Sequence, residues 1–256
     1  MIIFVIPIVL IIYLYITTNY IRIKKINLVS LNQHKLKYVH ITDIHGKLKF
    51  INGRLSKLVN QEKPDFVLLT GDMINKLSEL DKVIKELNNI ECRVYIVLGN
   101  YERESYNSGQ KEIHDFIKIE NAINSIENLT LLINKEAVQV IDGIKVSIYG
   151  FDNSIYGNES YSINSKQYDY KILLAHSPTI INLINDKNIN YNHLLVGHTH
   201  GGQIRLGKIY RNEYSKFHTG DLYDGNGRIF TINKGIGTTK IPLRLNATPE
   251  IRCYRV

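Results

Sequence analysis

Val196-Gly197-His198-Thr199-His200-Gly201-Gly202 ends a short apolar run with two imidazoles one residue apart and glycines on either side. In extended backbone alternate side chains share a face, so His198 and His200 are expected to point into one pocket. The neighbouring glycines let the backbone come close to a bound group. Taken alone, a His-x-His pair is equally compatible with an ordinary loop. Its weight comes from a pattern: elsewhere in the chain Asp, Asn or His follows directly on an apolar, strand-like run.

Upstream, Leu36-Lys37-Tyr38-Val39-His40-Ile41-Thr42 alternates and delivers Asp43-Ile44-His45-Gly46 at its end. Phe66-Val67-Leu68-Leu69-Thr70 reads as a buried strand ending in Gly71-Asp72. Val94-Tyr95-Ile96-Val97-Leu98 ends in Gly99-Asn100-Tyr101-Glu102, and Lys171-Ile172-Leu173-Leu174-Ala175 ends in His176. Helical periods occupy 52–63, 79–90 and 111–128, and Ser177-Pro178 supplies a cap and first-turn proline for a further helix. Asp142-Gly143 marks a hairpin, and 153–169 reads as a loop. The class is α/β, in which polar residues at strand ends are the usual seat of ligand chemistry.

If these strands are neighbours, Asp43, His45, Asp72, Asn100, His176, His198 and His200 converge at one sheet edge. Seven groups exceed the needs of a single ion, whereas two ions about 3.5–4 Å apart that share a carboxylate use them all. Aspartate suits the bridge because each of its two oxygens can take an ion. Oxygen and imidazole donors without thiolate fit Mn²⁺, Fe or Zn²⁺. The two cysteines, Cys92 and Cys253, are too few for a disulfide framework or a Cys-based zinc site.

The order Asp-x-His, Gly-Asp, Gly-Asn, His, Gly-His-x-His, each after a strand, resembles the calcineurin-like metallophosphoesterases from about Leu36 to the C-terminus. Gly-His-Thr-His-Gly-Gly-Gln, Gly235-Ile236-Gly237-Thr238 and the closing Pro242-Leu243-Arg244 with Pro249-Glu250-Ile251 look like a bacterial membrane-associated branch, similar to YkuE-like phosphoesterases and UDP-diacylglucosamine pyrophosphatases. The resemblance implies a four-layer α/β/β/α sandwich with two divalent ions at the strand ends. It places the first ion on Asp43, His45 and His200 and the second on Asn100, His176 and His198, with Asp72 bridging. It implies hydrolysis of a phosphodiester or pyrophosphate bond by a hydroxide held between the ions. The implied substrate is a phosphate-containing small molecule or a lipid-linked compound.

One position departs from the family pattern. Histidine usually follows Gly-Asn, where it contacts the substrate and assists the leaving group, and here that residue is Tyr101. A phenol with an ordinary pKa near 10 is a poor proton donor to an alkoxide. The change therefore costs less for a phosphate leaving group than for an alkyl one. Asp72 and Tyr101 are the residues expected to act in catalysis; Glu102 could compensate, although the resemblance implies that an acidic residue there is more often structural; the alternative is a metal-binding scaffold with weakened turnover. His34, His40, His114 and His193 read as structural. His218, Arg205 and Arg244 are candidates for substrate contact as well as for structural pairing.

The first sixteen residues are apolar apart from two tyrosines, and extension to Tyr20 or Ile21 gives the roughly 20 residues that cross a bilayer. No basic n-region or small-residue cleavage site precedes the domain, so a retained anchor is expected rather than a cleaved signal. Arg22, Lys24 and Lys25 follow it, which favours a single-pass protein of the cell membrane with its catalytic domain on the cytoplasmic side. The expected organisation is an anchor over 1–21, a connector over 22–35 and one domain over 36–256. A net charge of +8 fits phosphate-bearing or anionic partners, but no Lys/Arg block interleaved with aromatics marks a dedicated nucleic-acid module.

Overall fold

The structure, a computed structural model, describes residues 2–28, 36–107, 110–153, 155–162, 167–205 and 216–256. Helix α1 (Ile2–Asn19) leads to strand β1 (Arg22–Asn27), then β2 (Lys37–Ile41), the small hairpin β3 (Lys49–Phe50) and β4 (Gly53–Arg54), α2 (Leu55–Asn60) and β5 (Phe66–Thr70). Next come α3 (Leu80–Asn88), β6 (Arg93–Val97), the hairpin β7 (Glu104–Asn107) and β8 (Gln110–Ile113), α4 (Phe116–Asn124) and β9 (Leu129–Leu131). The second half holds β10 (Lys135–Ile141), β11 (Ile144–Gly150), β12 (Tyr170–Leu174), α5 (Ile180–Asp186), β13 (His193–Val196), β14 (Gly220–Tyr223), β15 (Ile229–Ile232) and β16 (Glu250–Arg255).

The main strands form two mixed six-stranded sheets, ordered β1-β16-β2-β5-β6-β9 and β10-β11-β12-β13-β15-β14. Every residue of β5 and β13 is buried, which is why these strands are unbroken apolar runs and do not alternate. The facing sides of the sheets enclose Tyr38, Phe66, Leu68, Val146, Ile172 and Leu195. The far side of the first sheet packs through Val67 and Leu69 on Leu58 of α2, Val83 of α3 and Ile123 of α4. The far side of the second packs through Leu173 and Leu194 on Ile180 and Ile184 of α5. Helices thus flank a pair of sheets in an α/β metallophosphoesterase-like arrangement.

Several local expectations change. Residues 22–27, read as connector, form β1 and pair in parallel with β16 at the sheet edge; 29–35, including His34, lie outside the described residues. The helix expected over 111–128 is confined to Phe116–Asn124, because the Asp115 carboxylate accepts from the Ile117 and Lys118 amides and caps it there. The preceding Gln110–Ile113 pairs instead with β7. Helix α5 starts at Ile180 behind Thr179, two residues later than Ser177-Pro178 suggests. Asp142 and Gly143, with φ of 48° and 83°, do turn β10 into β11.

The transmembrane anchor over 1–21 is not supported: among the described residues no helix is long and apolar enough to cross a membrane. The apolar count reaches 20 only by including residues that the domain claims. Thr18 is buried and exchanges hydrogen bonds with Arg244, the Thr18 carbonyl accepts from Lys47 Nζ, and the Asn19 carbonyl accepts from the Ile51 amide. Ile21 is buried in the core beneath the first sheet. The apolar run left over, 2–16, spans about 22 Å as helix against a hydrocarbon thickness of about 30 Å.

Candidate metal centre

Strands β2, β5 and β6 are parallel neighbours in one sheet and β12 and β13 in the other, so the loops after them open on the same edge of the sandwich. That edge gathers the residues singled out in the sequence. Ligand atoms of Asp43, His45, Asp72 and His200 lie within 4.8 Å of one another, and so do those of Asp72, His176 and His198. His45 Nε2 is 3.1 Å from His200 Nε2, and His176 Nε2 is 2.8 Å from His198 Nδ1. Asp72 belongs to both groups. Its Oδ2 lies 3.6 Å from His45 Nε2 and 3.3 Å from His176 Nε2, while its Oδ1 accepts the Tyr101 amide at 2.9 Å. Asp72 thus presents Oδ2 to imidazoles of both groups while Oδ1 is also engaged by a backbone N–H.

Asn100 lines the same cavity, and its Oδ1 is buried with no hydrogen-bond partner among the described residues. A buried carbonyl oxygen left unpaired beside a cluster of imidazoles and carboxylates is what an absent cation would satisfy. The donor set thus fits divalent metal.

The His-x-His segment is not extended. β13 stops at Val196, and His198 and His200 both have positive φ, 67° and 51°. Asp43, His45 and Asp72 share this left-handed conformation, with φ of 50°, 48° and 53°. Such backbone costs on the order of 1–3 kcal/mol per non-glycine residue and persists where surrounding contacts enforce it. The two histidines reach one cleft through a tight turn and not through strand alternation. Two glycines make the approach possible: a Cβ on Gly99 would lie 2.1 Å from Asp72 Oδ1, and one on Gly197 would lie 2.5 Å from Asp43 Oδ2.

Burial pushes His45 down to about 4, His198 down to about 3 and His200 well below the usual imidazole value, so these rings are neutral and offer lone pairs. His176 moves the other way: burial disfavours its cation, but Asp72 outweighs burial and pushes it up to about 9. Asp72 is held well below the usual carboxylate range by His176, His45 and His198 against the cost of burial. Asp43 is pushed up to about 7 by burial, with the Asp72 charge adding to it. His176 Nδ1 donates to the Thr70 carbonyl at 2.7 Å, which fixes the ring with Nε2 towards the cluster.

Glu102 is not a spare catalytic acid. It is fully buried, and its carboxylate accepts from the amides of Asp72, Met73 and Gly99 at 2.9, 2.6 and 2.7 Å. It locks the Gly-Asp loop to the Gly-Asn loop, and burial together with Asp72 pushes its pKa up to about 7. Glu102→Ala orphans three buried donors and is expected to cost about 3 kcal/mol or more, read as a lower Tm in thermal denaturation; an unchanged Tm would refute this role.

Arg244 also proves structural. It is fully buried and donates to the carbonyls of Gly237, Ala247, Lys234 and His200, with no room for substrate. The motif Pro-Leu-Arg signals no such burial, since an arginine this deep is uncommon without a carboxylate partner. His218 donates to the Phe230 carbonyl, away from the cleft residues. The Arg205 amide donates to the Leu245 carbonyl. His40 contacts Thr70 Oγ1, His114 contacts Ser105 Oγ, and His193 bridges Tyr38 and Thr231 inside the sandwich, all structural as expected.

Tyr101 lines the cavity, of about 920 Å³, together with Asp72, Asn100, His198 and His200, and its ring stands edge-on to His45 at 4.8 Å. Opposite them the cavity wall includes Thr238, Thr239 and Lys240, residues the sequence did not single out for contact with substrate.

A mixed double sheet with an Asp/His/Asn cluster at its strand ends defines a metal-dependent hydrolase of phosphate esters. Residues 36–202 match the Calcineurin-like phosphoesterase family, and the chain belongs to it. It is 28% identical to the uncharacterized metallophosphoesterase YkuE of Bacillus subtilis, over 85% of this chain and 78% of that protein. It is 25% identical to the phosphodiesterase YaeI of Escherichia coli, over 86% of this chain and 82% of that one. Among solved structures, a 5′-nucleotidase precursor from Thermus thermophilus shares the fold, with a TM-score of 0.51 at 13% identity over 87% of this chain and 54% of that one.

Proposed function

We propose that the chain hydrolyses a phosphodiester or pyrophosphate bond with two divalent ions, one on Asp43, His45 and His200, the other on Asn100, His176 and His198, and Asp72 shared. The observation that carries this reading is the position of Asp72 Oδ2 between the two imidazole groups. When bound, the ions supply a nucleophilic water near neutral pH and offset the charge that grows on the phosphoryl oxygens. The protein's part is positional. Glu102 and the left-handed loops hold the donors before any ion or substrate arrives, and Tyr101 presents a phenol towards the substrate side of the cleft. The similarity to a phosphodiesterase, YaeI, supports the diester alternative, and Tyr101 in place of histidine supports leaving groups that need little protonation.

The full chain supplied with Mn²⁺ is expected to hydrolyse bis(p-nitrophenyl) phosphate and to lose that activity on dialysis against a chelator, with recovery on adding the metal back. Equal rates before and after metal removal, with metal absence checked by elemental analysis, would defeat the reading.

A further inference from the structure

Two motifs remain outside the metal chemistry: Gln203, which closes Gly-His-Thr-His-Gly-Gly-Gln, and the Gly235-Ile236-Gly237-Thr238-Thr239 segment. In the structure they are one device. The Gln203 side chain accepts the Thr239 amide at 2.9 Å and donates to the Thr239 and Ile241 carbonyls at 3.0 and 2.9 Å, using its whole amide on a three-residue span. The same segment is tied at one end to a ligand loop, where the Gly237 amide donates to the Asp43 carbonyl at 2.7 Å. At the other end it is tied to buried Arg244, whose backbone is bonded to Thr18. At the centre of the clamped span is Lys240, in left-handed backbone with φ of 57°. Non-glycine residues held in this region concentrate where a site needs a fixed geometry.

Lys240 lines the cavity that also contains Asp72, Asn100, His198 and His200, and it is the single lysine or arginine among the described residues lining it. It is exposed and forms no ion pair among the described residues. Glu104, which lines the same cavity, is already paired with Lys111. Lys240 is three positions along from Gly237, which touches the Asp43 loop, so its α-carbon lies at most about 11 Å from that contact. Its side chain lines the cavity that holds the candidate donors.

Resting on the hydrolase reading above, we propose that Lys240, held by Gln203, is an anion subsite for a second phosphate group on the leaving side of the scissile bond. It is a specificity-determining residue that favours pyrophosphate-linked substrates over single-phosphate diesters. In a simple diester the one phosphate is met at the metal cluster and nothing reaches Lys240. In a pyrophosphate diester the oxygen of water forms a new bond to one phosphorus as the bond to the bridging oxygen breaks. The electron pair stays on the departing phosphate, the protons of water pass to solvent, and two phosphate monoesters result. The departing group gains negative charge, which an ammonium on a clamped backbone stabilises without donating a proton. This fits a cleft where Tyr101 replaces a better acid.

The test uses the full chain loaded with Mn²⁺ and two probes whose reacting bridge oxygen is replaced by methylene so that neither turns over, an analogue of ADP-ribose as the pyrophosphate diester and an analogue of a dinucleoside monophosphate as the single-phosphate diester, with affinities measured by calorimetry. Lys240→Ala is expected to weaken ADP-ribose about 10-fold more than the dinucleotide. Lys240→Arg is expected to restore most of the difference, and Gln203→Ala to lower ADP-ribose affinity with the lysine still present. Equal shifts for both probes, or none, would overturn the subsite. Because binding is read without turnover, failure of the subsite is distinct from failure of the hydrolase reading, which the bis(p-nitrophenyl) phosphate assay reports on its own.

Discussion

Asp72→Ala is expected to lower kcat/KM on a diester by on the order of 10³-fold or more, and to lower the metal content of the purified protein at the same time. Its Oδ2 is the one carboxylate oxygen placed between the His45 and His176 nitrogens, and no other described acid stands there. Asp43, the nearest candidate, already faces His200 and accepts the His198 amide with both oxygens. Asp72 Oδ2 also lies 3.3 Å from His176 Nε2, so its removal loosens the imidazole cluster as well as the bridge. Elemental analysis beside steady-state kinetics checks both parts. A variant with full activity and full metal content would sink the two-ion assignment. Asp72→Asn is the companion measurement: it keeps Oδ1 for the Tyr101 amide but removes the charge, and the same loss without a drop in Tm separates metal binding from folding.

Tyr101→His is expected to raise the rate on esters with alkyl leaving groups by about 10²-fold, and to change the rate on p-nitrophenyl or pyrophosphate substrates far less. The ring at this position lines the cavity and stands against His45, so an imidazole built there faces the same cleft. An alkoxide needs a proton as it leaves, which an imidazolium gives readily and a phenol does not. A phosphate or nitrophenolate departs without one. Parallel assays on a methyl ester and a p-nitrophenyl ester of the same phosphate decide the matter. If the variant gains strongly on every substrate from a background near zero, the wild-type chain is a metal-binding scaffold. If it gains on none, Tyr101 does not occupy the acid's place.

Much of the fold and the site was legible because both depend on short, local patterns. Apolar runs such as Phe66–Thr70 and His193–Val196 are strands whose every residue is buried, and that leaves a strong signature. The α1 reading failed for the converse reason. Hydropathy counts Thr17 to Ile21 as part of an apolar run, and only the contacts with Arg244, Lys47 and Ile51 show that the domain takes them. Helix α4 was overextended because residues before Asp115 keep a helical period while the cap and the β7 partner decide otherwise.

By itself, the sequence determined the α/β class and the identity and order of seven candidate donors, since each follows a strand it also encodes. Only the tertiary structure decided how those donors meet. The approach of Asp72 Oδ2 to both imidazole groups, the left-handed turns at five of the candidate donors, the buried role of Glu102 and the pinning of the Lys240 backbone by Gln203 all depend on residues distant in the chain. Hydrogen bonds and backbone strain of that kind have no period and no composition to read, because they exist only once two sheets have brought their loops to a common edge.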